Sequence, residues 1–221
     1  MHIKQAIHAC SVVAAAAFAS ASAQAASSYG NIAPPGVYFG TGNINGNWSI
    51  GTDHGIELAL RAKNRQTGTP LDGSTGTYFA DPGTYAGGGV KAKWNYEFSV
   101  NPGTLAGLTF KLGVDHDPTA GVNYSWVNPQ TYWFDNATSG NGFQNSQNVG
   151  FGGTPGGAFN VNTEGLYSFV LQAFDGTTLV DSTSMNVQVG TTVPVPEPET
   201  YALMLAGLGL MGVAVRRRTR P

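Results

Sequence analysis

Between residues 91 and 100 the chain reads with a strict period of two. Ala92, Trp94, Tyr96, Phe98 and Val100 alternate with Lys91, Lys93, Asn95, Glu97 and Ser99. Wound as a helix, this stretch would scatter its large apolar groups around every side. Extended, it gathers them all on one face. The same period recurs at Ile56, Leu58, Leu60 and Ala62, then at Leu108, Phe110, Leu112 and Val114. It returns at Tyr167, Phe169, Leu171 and Ala173, and at Met185, Val187 and Val189. Turn-forming groups separate these runs: Pro70-Leu71-Asp72-Gly73, Asp81-Pro82-Gly83, Asn101-Pro102-Gly103 and Asp175-Gly176. The alternation predicts strands with one face in a core and the other in solvent, which is the pattern of antiparallel sheets. Composition agrees. With 31 Gly and only 11% charged residues the chain is no helical bundle, and with 41% hydrophobic residues it is not disordered. The expected fold is all-β, an antiparallel two-sheet sandwich over residues 26–190.

The two ends have a different character. Lys4 is followed by an apolar, small-residue stretch over residues 12–19 and then by Ala21, Ala23 and Ala25 at the spacing of signal-peptidase sites. Cleavage fits after Ala23 or Ala25, the latter preferred, so residues 1–25 read as a signal peptide handled by the Sec translocon and signal peptidase. Cys10, the sole cysteine, lies within it. The mature body therefore has no thiol or disulfide. At the far end Val195, Pro196, Glu197 and Pro198 stand in a linker over residues 191–200. An uncharged run over 201–215 follows, then Arg216, Arg217, Arg218 and Arg220 in a basic tail over 216–221. Fifteen helical residues reach about 22 Å, short of the roughly 30 Å hydrocarbon core. The arginines place the tail on the cytoplasmic side of a membrane. A short span with a basic stop suits a segment that is recognised and then processed. The prolines hold the preceding backbone extended, as a protease requires.

This combination resembles the PEP-CTERM sorting signal of Gram-negative bacteria. The resemblance covers residues 195–221 and implies recognition by an exosortase, a membrane-embedded transpeptidase-like protease. It further implies an inner-membrane precursor delivered to the cell surface or extracellular matrix, with a link to exopolysaccharide and biofilm. Within the body, Glu164-Gly165-Leu166-Tyr167 and the strands that follow resemble the last hairpin of immunoglobulin-like domains, where a tyrosine makes a corner hydrogen bond. A jelly roll is the alternative. The Asn-, Gly-, Ser- and Gln-rich stretch at 136–157 reads as a surface loop or a poorly ordered edge.

Residues 26–190 hold six basic and eleven acidic side chains, a net charge of −5 with no basic stripe, so nucleic acid is not an expected partner. Two constellations bear on chemistry. Asp53-His54 precedes one strand and Asp115-His116-Asp117 ends another. Neighbouring carboxylates of this kind suit Ca²⁺, and equally the hydrogen bonds of an Asx-type turn. Aromatic residues gather at Tyr124, Trp126, Tyr132, Trp133 and Phe134. Trp126, Tyr132 and Trp133 would serve as a stacking platform for sugar rings or as core of the sandwich. The nucleophile elbow, the His-Glu-x-x-His pair and the phosphate loop are all missing from the sequence. The expectation is an exported structural or adhesive protein without enzymatic activity. A carbohydrate- or calcium-binding module is the alternative, with a secreted hydrolase a more distant one.

Overall fold

The computed structural model describes residues 27–40, 43–104, 106–119 and 121–191. The expected signal peptide, the apolar run at 201–215, the basic tail and the linker from residue 192 lie outside the described residues. No helix among the described residues is long and apolar enough to cross a membrane.

Among the described residues eleven strands form two sheets. The first contains β1 (Ser27–Gly30), β2 (Trp48–Asp53), β3 (Ile56–Asn64), β5 (Trp94–Asn101), β9 (Gly142–Asn148) and β8 (Ala137–Ser139), in that spatial order. The second contains β4 (Thr77–Ala80), β11 (Thr178–Val189), β10 (Gly165–Asp175), β6 (Leu108–Asp115) and β7 (Tyr124–Val127). A single helical turn, α1 (Pro129–Tyr132), follows β7, with Asn128 accepting a hydrogen bond from the Gln130 N–H at its start. All five runs with period two are strands. With β1, β2 and β4 set aside, the orders β3-β5-β9-β8 and β11-β10-β6-β7 are the ABED and GFCC′ orders of immunoglobulin-type sandwiches, not those of a jelly roll. One pairing departs from the antiparallel expectation: β4 runs parallel to β11.

The inward faces meet in an aromatic core. Trp94 sets its edge to Phe169 at 6.1 Å, and Phe110 does the same to Phe143 at 5.5 Å. Tyr167 donates its hydroxyl to the Thr163 carbonyl at 3.1 Å, the corner hydrogen bond expected for this residue. Phe169, two residues on, occupies the position at which antibody domains carry a cysteine. Here its ring meets that of Tyr96 on the opposite sheet at 5.0 Å, so packing joins the sheets without a disulfide.

The structure overturns two local expectations. The outer face of β3, β5 and β9 is not in solvent, because residues 31–40 and 43–47 cross it as a strap. Ile32 and Phe39 of the strap pack with Trp48, Ile50 and Ala59 in a second apolar cluster. Beneath it Glu97 is fully buried and pairs with both Arg61 and Lys63. Arg61 donates from Nη1 to the carbonyls of Ile44 (2.9 Å) and Gly46 (2.8 Å), and its guanidinium lies 4.2 Å from the Trp48 ring centre. Lys63 reaches Asn43 Oδ1 at 3.0 Å. Gln144 donates to the Gly36 carbonyl and accepts from the Tyr38 N–H. Charge alternating with apolar residues thus marks a buried polar layer as readily as a wet one.

The stretch at 136–157 is also not simply a loop. It contains β8 and β9, and β9 is inserted between β5 and β8. Its amides replace apolar burial. Asn148, wholly buried, donates to the carbonyls of Ala92 and Trp94 and to Asn95 Oδ1, while accepting from the N–H groups of Ala92 and Gly150.

At one side the sheets close on each other. A Cβ on Gly51 would stand 2.5 Å from the Ser182 carbonyl, so only glycine lets β2 lie against β11. Thr183 donates its hydroxyl to the Ser49 carbonyl. Asp181, paired with the inward-facing Ala173, is buried in this seam. Its Oδ1 accepts from the Ser182 N–H at 2.7 Å, and its buried Oδ2 has no hydrogen-bond partner. Burial pushes its pKa up to about 6, with the Asp53 carboxylate adding to the rise and hydrogen bonding to Ser182 opposing it.

Two stability predictions follow. Glu97→Ala leaves two buried cations unpaired and costs about 3–5 kcal/mol. Urea unfolding of the exported body measures it, and a loss under about 1 kcal/mol would contradict this account of the strap. A carboxyl raised in the folded state stabilises it below the unfolded pKa and loses that contribution as pH rises through about 6. The body is therefore expected to weaken between pH 4.5 and 7.5, by roughly 2 kcal/mol from this group. Asp181→Asn removes that part of the dependence and is the more stable form at pH 7.5. Identical pH profiles for the two proteins would refute the assignment.

Candidate functional site

The two Asp/His constellations lie at different ends of the sandwich and do not meet. Asp53-His54-Gly55 makes the β2–β3 hairpin, with positive φ at His54 (51°) and Gly55 (77°). Asp53 Oδ1 accepts the His54 N–H at 2.8 Å, and the ring Nδ1 of His54 lies 3.1 Å from the Val180 carbonyl. Asp115 closes β6 beyond Val114, which pairs with Phe169, whereas Asp181, beside Asp53, pairs with Ala173. Four residues along β10 separate those levels, about 13 Å.

At its own end Asp115 is fully buried, and its Oδ1 accepts the N–H groups of Asp117 (3.0 Å) and Asn123 (3.2 Å). Asp117 in turn accepts from the Thr119 N–H at 2.9 Å. His116 points away, with Nε2 2.8 Å from the Gly157 carbonyl and its ring 4.3 Å from that of Phe159. Of the two readings of this motif, the hydrogen-bonded turn is the one the contacts describe. Among the described residues no group of three or more His, Cys, Asp or Glu is arranged to hold a metal ion.

The three aromatic residues considered for sugar stacking are also separated by burial. Trp133 is only 8% exposed and packs at 5.4 Å on Phe98 and 6.5 Å on Tyr96. It belongs to the core. The platform of Trp126, Tyr132 and Trp133 is therefore not assembled. Tyr132 and Trp126 remain half-exposed, at 45% and 46%. Tyr132 ends α1 and its ring meets the edge of the Trp133 ring at 4.8 Å, so it lies at the rim of the core beside the buried indole.

Trp126 lies on the bare face of the second sheet. Its partner across the ladder is Gly113, and a Cβ there would come within 3.0 Å of both the Trp126 and the Tyr124 rings. Glycine thus gives the two rings room, 5.2 Å apart, over the middle of β6. β7 pairs only with residues 112–115 and then leaves for α1, opening a groove of about 480 Å³ beside residues 109–111. Thr109, Lys111, Gln172, Trp126 and Asn128 line it. A half-exposed ring flanked by amide, hydroxyl and ammonium groups suits stacking on a polar, ring-shaped ligand. The groove's partners Lys111, Gln172 and Thr109 escaped sequence reading. Their outward placement follows from the period of β6 and β10, but nothing local says where β7 ends.

Comparison with known proteins bears on the other end of the chain. Residues 194–218 match the family model of the PEP-CTERM protein-sorting motif. The match spans Val195, Pro196, Glu197, Pro198 and Arg216, Arg217 and Arg218, outside the described residues. Set against the curated proteins and the solved structures, the chain matches none. The chain therefore carries a PEP-CTERM sorting motif behind an all-β body, which makes it an exported protein processed at the membrane with an exosortase as processing partner.

Proposed function

We propose that the body is a structural or adhesive component of the cell surface or biofilm matrix, without enzymatic activity, that contacts exopolysaccharide through the bare face of the second sheet. The supporting observation is the difference between the two outer faces. The first sheet is covered by the strap. The second presents Trp126 and Tyr124 beside an open groove. Stacking of a sugar's apolar face on an indole, with amides nearby for its hydroxyls, is sequence-tolerant and suits a polymer. Residues 1–25 deliver the precursor through the Sec translocon, signal peptidase removes them, and the apolar run at 201–215 holds it in the inner membrane until the exosortase acts.

Two measurements test this reading. Replacing Pro196, Glu197 and Pro198 together by alanine is expected to leave the unprocessed form in the membrane fraction. Normal maturation of that variant would contradict sorting through these residues. The processed protein is expected to co-sediment with exopolysaccharide of its host, and Trp126→Ala to reduce the bound fraction several-fold. Equal sedimentation of the two would remove the bare face from the contact.

A further inference from the structure

Taking the bare face as the polysaccharide contact, we infer that its groove selects acidic sugars: a uronate unit would stack on Trp126 with its carboxylate on Lys111. The outward positions of β6, β10 and β11 carry hydroxyl, amide, aliphatic and aromatic side chains. Lys111 is the exposed charge among them. Asp115, at the end of β6, is buried in its turn. On the first sheet the cations of β3 are committed: Arg61 and Lys63 both serve Glu97. Lys111 is in none of the ion pairs among the described residues. Its ammonium instead lies 5.0 Å from the Phe174 ring centre, a contact that holds the side chain over the sheet and leaves its hydrogen-bond donors for a ligand.

The geometry of the groove supplies the remaining selection. Lys111 sits opposite Gln172 on β10 and two residues before Gly113, above which Trp126 lies. Two residues of strand are about 7 Å, the scale of one sugar ring and its substituent. The volume of about 480 Å³ falls in the range of small-ligand sites. Asp175 is the nearest carboxylate along β10, three residues from Gln172 and about 10 Å away. The body's net charge of −5 opposes a polyanion at long range. The lysine accordingly provides preference between sugars, while the indole supplies most of the affinity.

The test titrates the processed protein, followed by tryptophan fluorescence at pH 7, with hexameric galacturonate and with a neutral galactose hexamer. The uronate is expected to bind about three- to fivefold more tightly, the worth of one exposed charge pair. Lys111→Gln should erase that preference, Lys111→Arg should keep it, and Trp126→Ala should weaken both ligands. Lys111 is exposed, so its variants leave the fold intact, which an unchanged melting curve verifies. Equal or tighter binding of the neutral hexamer overturns the acidic-sugar inference and leaves the polysaccharide contact standing. So does Trp126-dependent sedimentation with host polysaccharide when neither hexamer binds. Failure of hexamers and host polysaccharide alike overturns both, as does a concentration-dependent dimer that Trp126→Ala abolishes.

Discussion

The buried meeting of Glu97 with Arg61 and Lys63 governs how the rest of this body is arranged. Three charges cannot be taken out of water unless each finds partners, and the sheet alone supplies only some of them. The remainder come from the strap, whose carbonyls at Ile44 and Gly46 receive the arginine and whose Asn43 receives the lysine. The strap has no regular structure of its own to keep it in place. It is held because leaving would expose Phe39 and Ile32 and strand buried charge at once. The N-terminal extension is thereby made part of the domain, and one of the sandwich's two outer surfaces is consumed by it.

The opposite surface is left uncovered, and the core explains why it can be spared. Cysteine-free sandwiches must join their sheets by packing, and here rings do so: Tyr96 on Phe169, Trp94 on Phe169, Phe110 on Phe143. Trp133 is drawn inward by the need to fill the end of the core near Phe98. Trp126, a few residues earlier, is kept outside by a ladder that places it over Gly113. The division of labour among the aromatic residues is set by register.

That division was only partly legible in the residues. The five strands with clean alternation were, and so was the corner at Tyr167, because its hydrogen bond is local and its pattern short. β9 was not, since Gln144, Asn145, Gln147 and Asn148 look like a loop until their partners across β5 and under the strap are known. The strap was invisible for the same reason: an irregular segment has no period to read. Asp115 offered both a turn and a cation ligand, and only the position of the Asn123 N–H, eight residues away, distinguishes them. The sorting motif was readable because its information lies in consecutive residues. The groove was not, because it depends on where β7 parts from β6.

β11 is the last strand of the described residues, and it is held on both flanks, by β4 in parallel and by β10 antiparallel. Beyond it Gly190 donates to the Ala80 carbonyl and Thr191 to Glu164. Tension entering from residue 191 therefore runs along the strand axis instead of peeling a free edge. Both ladders must slide together before the chain yields, as a lap joint fails only when its whole overlap shears. A body tethered at that point and gripped elsewhere by a polymer would resist being pulled open for mechanical reasons that equilibrium stability alone does not measure.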